Sequence, residues 1–147
     1  MRRFGQPPRK NITYRDRPGA YAILQKGNRL LLTEQADPGP ELQLPGGGID
    51  PGESPLVALH REVFEETGWS VRIIRKVGSY QRFVFMPEYD LWARKLCHIY
   101  LGVPGQRLGS PLEPGHRAVW LETGRAVHAL AGAGDRWFTR RTLGSGT

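Results

Sequence analysis

Residues 46–69 read Gly-Gly-Gly-Ile-Asp-Pro-Gly-Glu-Ser-Pro-Leu-Val-Ala-Leu-His-Arg-Glu-Val-Phe-Glu-Glu-Thr-Gly-Trp. The stretch carries its own start and stop signals for a helix over 55–67. Ser54 is a side-chain acceptor at the N-cap, and Pro55 at the first helical position gives up an N–H that would have had no partner. Gly68 suits the left-handed conformation just past the last turn. At about 100° per residue, Leu56, Leu59, His60, Val63, Phe64 and Thr67 share one face, expected to pack on a sheet with His60 as a packed histidine. Glu62, Glu65 and Glu66 sit at i, i+3 and i+4, so their carboxylates point into one small volume.

That spacing works against the isolated helix. Like charges so placed cost roughly 0.2–0.5 kcal/mol per pair, and Glu65 and Glu66 also lie near the negative helix end. Arg61 can address one carboxylate, and Glu53 in the preceding loop is its expected partner. The remainder call for hard divalent cations with oxygen ligands, Mg²⁺ or Mn²⁺. The glycines at 46–48 let the main chain bend and bring a carbonyl close to such a cation.

Working outward, residues 20–24 and 29–33 are short apolar runs joined by Lys26-Gly27-Asn28, which predicts a hairpin. Residues 36–41 read as a loop and 42–44 as a short strand. Residues 71–85 and 91–103 are rich in β-branched and aromatic side chains and break near Pro87, which predicts two longer strands. A Gly/Pro loop over 104–117 leads to a last strand at 118–121. Two short helices follow at 124–131 and 135–142, the second opening at Asp135 as N-cap. Strands first, a helix in the middle and helices at the end predict an α+β or mixed sandwich. Residues 1–17 read as a basic arm, 18–142 as one domain and 143–147 as a flexible tail.

Composition narrows the function classes. A chain of 147 residues with 39% apolar and 24% charged residues is one domain with a buried core. No run approaches the roughly 18 consecutive apolar residues of a membrane span. Cys97 is the sole cysteine, so there is no disulfide framework and no thiolate zinc site, which fits a reducing cytoplasm. The basic N-terminus lacks the apolar run of a signal peptide. The net charge is +7, and Arg supplies most of the 21 basic residues, yet five of the 14 acids fall within residues 50–66. A concentrated acidic site on an Arg-rich body suits a protein that holds cations and polyanionic phosphate together.

Gly47, Glu53, Arg61-Glu62-Val63, Glu65-Glu66, Gly68 and the bulky apolar Trp69 stand at spacings that resemble the Nudix box in full, over residues 47–69. Seven fixed residue types would coincide by chance roughly once in 10⁸ windows. Trp69 is the one departure, standing where the family usually has an aliphatic residue. The resemblance implies a Nudix-type α/β/α sandwich with a central mixed sheet and the catalytic helix packed on it. It further implies a hydrolase that splits the pyrophosphate linkage of a nucleoside diphosphate joined to another group, using Mg²⁺ or Mn²⁺. Matched position by position, Glu62, Glu65 and Glu66 would be metal ligands with the Gly47 carbonyl, and Glu53 would pair with Arg61 to brace the loop. The proton of the attacking water would pass to Glu62, or to Glu113, the only acid of the 104–117 loop.

Substrate choice is poorly written. Neither residue that marks substrates in the family fits cleanly at its distance past the box. Phe85 or Trp92 is placed to stack on a base, and Arg15 or Arg17 to reach phosphates. The expected substrate is a nucleotide-type phosphoanhydride: a modified dNTP, an ADP-ribose-like compound or a dinucleoside polyphosphate. One alternative, suggested by the Arg-rich arm, is removal of pyrophosphate from an RNA 5′ end; another is a non-catalytic nucleotide- or RNA-binding module. The chain is expected to be a monomer or homodimer with no membrane partner. His98, His116 and His128 lack mutual ligand spacing for zinc, and Gly46-Gly47-Gly48 is not a P-loop, since no Lys-Ser/Thr follows.

Overall fold

The computed structural model describes residues 1–144. In chain order the elements are β1 (Arg2–Arg3), β2 (Arg15–Lys26), β3 (Arg29–Gln35), β4 (Glu41–Gln43), β5 (Gly46–Gly48), α1 (Pro55–Thr67), β6 (Trp69–Met86), β7 (Leu91–Arg107), β8 (His116–Glu122), α2 (Thr123–Ala129) and α3 (Ala133–Leu143). One turn of 3₁₀ helix, Pro87–Tyr89, joins β6 to β7. The strands form one mixed sheet in the order β1-β6-β7-β2-β3-β4, with β5 added to β2 and β8 to β3.

Two features of this sheet create a site. The parallel pairing of β2 with β7 runs from Arg15↔Ala93 to Leu24↔Gly102 and forms the rigid spine. By contrast β2 and β3 pair only through Leu24↔Leu31, Gln25↔Leu30 and Lys26↔Arg29, around the turn Gly27-Asn28, and then splay apart. The returning chain fills the fork: β4 pairs with β3, and β5 pairs with β2 through Gly19↔Gly48, Ala20↔Gly47 and Tyr21↔Gly46. Alternation along β2 then sorts the core into two layers. Ala20, Ala22 and Leu24 pack with Leu59 and Val63 of α1, whereas Ile23 packs with Ala126, Leu130 and Phe138 on the α2/α3 side.

Several expectations need correcting. The basic arm is not a separate unit. Arg2 and Arg3 lie parallel to Tyr80 and Gln81 of β6, Phe4 packs edge-on against Tyr80 at 5.2 Å, and Arg15–Arg17 already belong to β2. Leu143 closes α3 and Gly144 is its C-cap, so neither is tail; the rest of the expected tail, 145–147, lies outside the described residues. Asp135 is not an N-cap. Gly132 occupies that place, and the Asp135 carboxyl turns inward to accept from the Tyr80 hydroxyl at 2.9 Å. His60 is exposed, not packed, because the buried face of α1 is centred on Ala58, Leu59, Val63, Glu66 and Thr67. The strands at 71–85 and 91–103 extend to Trp69–Met86 and Leu91–Arg107, so Pro104–Arg107 is strand, not loop.

Gly46 sets the closest approach in the fork. Its φ is +147°, and a Cβ there would run into the Ala20 carbonyl oxygen and lie 2.6 Å from the Tyr21 Cα. Gly46→Ala is therefore expected to open the β2–β5 pairing and destabilise the fold by about 2 kcal/mol or more. Urea unfolding checks this, and a variant as stable as wild type would contradict the packing described.

Candidate active site

α1 is capped as its sequence demands. The Ser54 Oγ accepts from the Val57 N–H at 3.2 Å, and Gly68 (φ 77°) donates its N–H to the Phe64 carbonyl at 2.8 Å. The helix is rolled so that Glu66 lies under β5, where the Gly46 N–H donates to its Oε1 at 3.0 Å. This bond, made between a backbone fixed by sheet pairing and a carboxylate, explains why a charged residue is buried where His60 was expected.

Arg61 is the hub of the acidic cluster. Its Nε and Nη2 hold both oxygens of Glu53, at 2.8 and 2.9 Å. The Nη1 donates to Glu62 at 2.8 Å and to Glu65 at 3.3 Å, and the Nη2 also donates to the Gly48 carbonyl at 3.2 Å. Asp50 lies 3.5 Å away. Four carboxylates thus surround one guanidinium, with Glu66 behind them. The Arg61 fork and the Asp50 N–H hold the Glu53 carboxyl down to about 2. The bidentate pair fixes the 49–53 loop on the helix.

The loop after β7 completes the cluster. The Leu108 and Gly109 N–H groups donate to the Gly68 carbonyl, and those of Leu112 and Glu113 donate to the Glu65 carbonyl at 2.7 and 2.9 Å. These bonds satisfy carbonyls that the helix end leaves free, and they bring Glu113 beside the box. His116, at the start of β8, places its Nδ1 3.0 Å from the Thr33 hydroxyl and 3.6 Å from the Glu66 carboxylate. Burial pushes the Glu66 carboxyl up to about 8, with the charges of Glu62, Glu113 and Glu65 adding to it and the Gly46 N–H opposing. Burial also raises Glu62.

This donor set fits a hard divalent cation. It is all oxygen, it carries far more negative charge than Arg61 neutralises, and it sits against bare backbone. A Cβ on Gly47 would lie 2.5 Å from the Glu62 carboxyl, so a side chain there would push that carboxylate aside. Among the described residues, Glu62 and Glu65 are turned toward Arg61 and do not converge with Glu66 on a single point.

Of the cluster's carboxylates, Glu66 lines an adjoining cleft of about 430 Å³, and Glu53, Glu62, Glu65 and Glu113 lie outside that lining. Gly46, Gly47, Glu66 and His116 line it on the box side, and Tyr80, Arg82, Lys95 and Asp135 line it on the other. Burial raises the Asp135 carboxyl, and the Tyr80 hydroxyl and the Leu44 N–H oppose the shift. Two expected substrate residues are not part of this lining. Arg17 stacks its guanidinium over Tyr89 at 4.6 Å, and Tyr89 does line the cleft. Phe85 alternates with Met86, which faces the cleft, so Phe85 points to the other sheet face and packs on Trp92 at 5.1 Å. Sequence reasoning missed His116, Tyr80 and Asp135 as lining residues. The alternation Tyr80/Arg82 opposite Lys95/Cys97, in register across β6 and β7, was the available signal.

The comparisons with known proteins agree with this geometry. The profile of the family described as NUDIX domain matches residues 13–141. The chain belongs to that family. A protein of Bacillus subtilis (strain 168), provisionally named 8-oxo-dGTP diphosphatase, is 43% identical over 75 residues, covering 50% of each chain. An RNA pyrophosphohydrolase of Acidiphilium cryptum (strain JF-5) is 34% identical over 82 residues, 52% of this chain and 49% of that one. The chain thus spans about half the length of these curated relatives. Among solved structures, a NUDIX hydrolase from Nitrosomonas europaea superposes with a TM-score of 0.73 at 22% identity, covering 88% of this chain and 89% of that one. A MutT protein from Methanosarcina mazei Go1 gives 0.69 at 19% identity, covering 89% and 95%. The shared fold is the α/β/α sandwich.

The Glu53 clamp has a pH signature. A carboxyl held at about 2 in the folded chain, against 4.5 unfolded, contributes stability that is complete above 4.5 and is lost as pH falls toward 2. The difference in unfolding free energy between wild type and Glu53→Gln is expected to shrink across that window. Urea titrations at several pH values measure it, and a pH-independent difference would contradict the clamp.

Proposed function

We propose that this chain is a Mg²⁺- or Mn²⁺-dependent hydrolase that cleaves the pyrophosphate linkage of a nucleoside diphosphate joined to another group. The observation that carries the reading is the crowd of carboxylates around Arg61, joined through Glu66 and the backbone of Gly46 and Gly47 to a cleft of about 430 Å³, a volume that suits one nucleotide. Glu62, Glu65, Glu66 and the Gly47 carbonyl are the groups that would hold the cation. Once bound, such a cation draws charge from the phosphate oxygens and makes phosphorus easier to attack. Glu53 and Arg61 keep the loop and helix in register while substrate enters. Glu113, exposed and held by its own backbone on α1, is positioned to take the proton of the attacking water, and Glu62 is the other acceptor within the cluster.

The nucleoside falls to the opposite wall. Asp135, partly buried and bonded to Tyr80, offers an acceptor or, when protonated, a donor to the edge of a base. Arg82 and Lys95 lie beside it and reach phosphate or sugar oxygens. This favours a free nucleotide, such as a modified dNTP, as substrate. The second reading, a triphosphorylated RNA 5′ end, draws on the name of the relative from Acidiphilium cryptum and on the exposed Arg9, Lys10 and Arg15 beside the sheet.

Glu65→Gln and Glu66→Gln are each expected to lower turnover with Mg²⁺ by about a hundredfold or more while the melting curve keeps its cooperative form. Phosphate release from a panel of NTPs, oxidised dNTPs, nucleotide sugars and triphosphorylated RNA checks this; undiminished rates would contradict the assignment. Asp135→Ala is expected to raise KM by about tenfold with kcat less affected, and to blur the ranking of bases across the panel. An unchanged ranking would remove Asp135 from base recognition.

A further inference from the structure

Trp69 stands where an aliphatic residue was expected, and the catalytic cluster makes no use of it. It packs edge-to-face against Trp120 of β8, with ring centroids 5.3 Å apart and planes at 76°. Lys26 and Arg29 flank the pair, and together with Gly27 these residues line a second cavity of about 300 Å³. Trp120 follows His116 by four residues on β8, a separation of about 13 Å along a strand. The two cavities therefore lie at different places on the same strand.

Three observations say what this cavity takes. Both indoles are only partly buried, although each packs on the apolar layer under α1. Lys26 and Arg29 are directly opposite each other across the Gly27-Asn28 turn, a like-charge pair that the hairpin bears at a cost. Among the described residues neither forms a salt bridge, and Glu122, the ladder neighbour of Arg29 on β8, does not supply one. Lastly, each cation lies over an indole at longer range: Lys26 is 5.8 Å from the Trp69 centroid and Arg29 5.5 Å from that of Trp120, whereas Arg2 closes to 4.1 Å over Trp137. A base stacking on either indole would take the place of the cation over that ring and move it to the rim, where it meets phosphate.

We propose that Trp69, Trp120, Lys26 and Arg29 form a second nucleotide-binding site, in which a nucleobase stacks on indole and its phosphate is held by the two cations. The aromatic faces serve any base, and the unneutralised pair on the hairpin supplies the complement to one phosphate. The site stands apart from catalysis and does not depend on which anhydride the cleft accepts. The same chemistry is presented by a free nucleotide and by one residue of a single-stranded RNA.

The test follows the indole N–H resonances of the four tryptophans as the full chain is titrated with GMP or with an RNA tetranucleotide bearing a 5′-hydroxyl. Neither probe contains a phosphoanhydride, so neither can be turned over. The Trp69 and Trp120 signals are expected to shift and saturate while those of Trp92 and Trp137 stay in place. The double variant Lys26→Glu/Arg29→Glu, altered only at exposed positions, is expected to weaken the apparent affinity at least about tenfold and to keep its hydrolytic rate on free nucleotides. A response to GMP assigns the site to free nucleotides, and a response to the tetranucleotide alone assigns it to a strand. No movement of those two indoles up to about 10 mM of either probe, or the same movement in the charge-reversed variant, would overturn the proposal.

Discussion

A single guanidinium holds the acidic cluster together. Arg61 lies within 3.5 Å of Asp50, Glu53, Glu62 and Glu65, and it reaches them from one planar fork that no other side chain could replace at this geometry. Without it the helix would carry three carboxylates on one face with nothing nearby to offset them, and the 49–53 loop would have no anchor. With it, the cluster is stable enough to fold and still carries surplus negative charge. That surplus makes the region receptive to a divalent cation.

The sheet supplies what the guanidinium cannot. Because β2 and β3 separate after three residue pairs, the chain can fold back into the fork and lay the backbone of Gly46 and Gly47 directly over Glu66 and Glu62. The helix, the fork and the 108–113 loop are thereby joined through hydrogen bonds to one carboxylate face and one helix end. The cleft then runs from this face toward Tyr80 and Asp135 without leaving the same end of the sheet. On the proposed reading, chemistry and recognition fall to different elements, the box on one side and the Tyr80–Asp135 wall on the other.

The helix was legible because its caps and charges are local signals: Ser54, Pro55, Gly68 and the glutamate spacing need no tertiary information. The hairpin at Gly27-Asn28 was legible for the same reason. The sequence was silent where side chains are missing or where burial is decided by a distant backbone. Three consecutive glycines carry no periodicity, so β5 could not be seen as a strand. His60 looked more apolar in context than Glu66, yet a hydrogen bond from Gly46 outweighed that difference and rolled the helix. Asp135 follows a Gly-Ala-Gly break that reads as a cap, but Tyr80, 55 residues away, claimed its carboxyl. Phe85 had the right chemistry for stacking and the wrong parity along β6.

The account stands most directly on where a divalent ion sits. Anomalous diffraction from crystals grown with Mn²⁺ and a non-hydrolysable diphosphate analogue would locate it. The expected result is a peak about 2.1 Å from carboxylate oxygens of the Glu62, Glu65 and Glu66 set and close to the Gly47 carbonyl, with Glu53 still clamped by Arg61. Manganese bound elsewhere, with Arg61 continuing to hold Glu62 and Glu65 while the analogue fills the cleft, would contradict it.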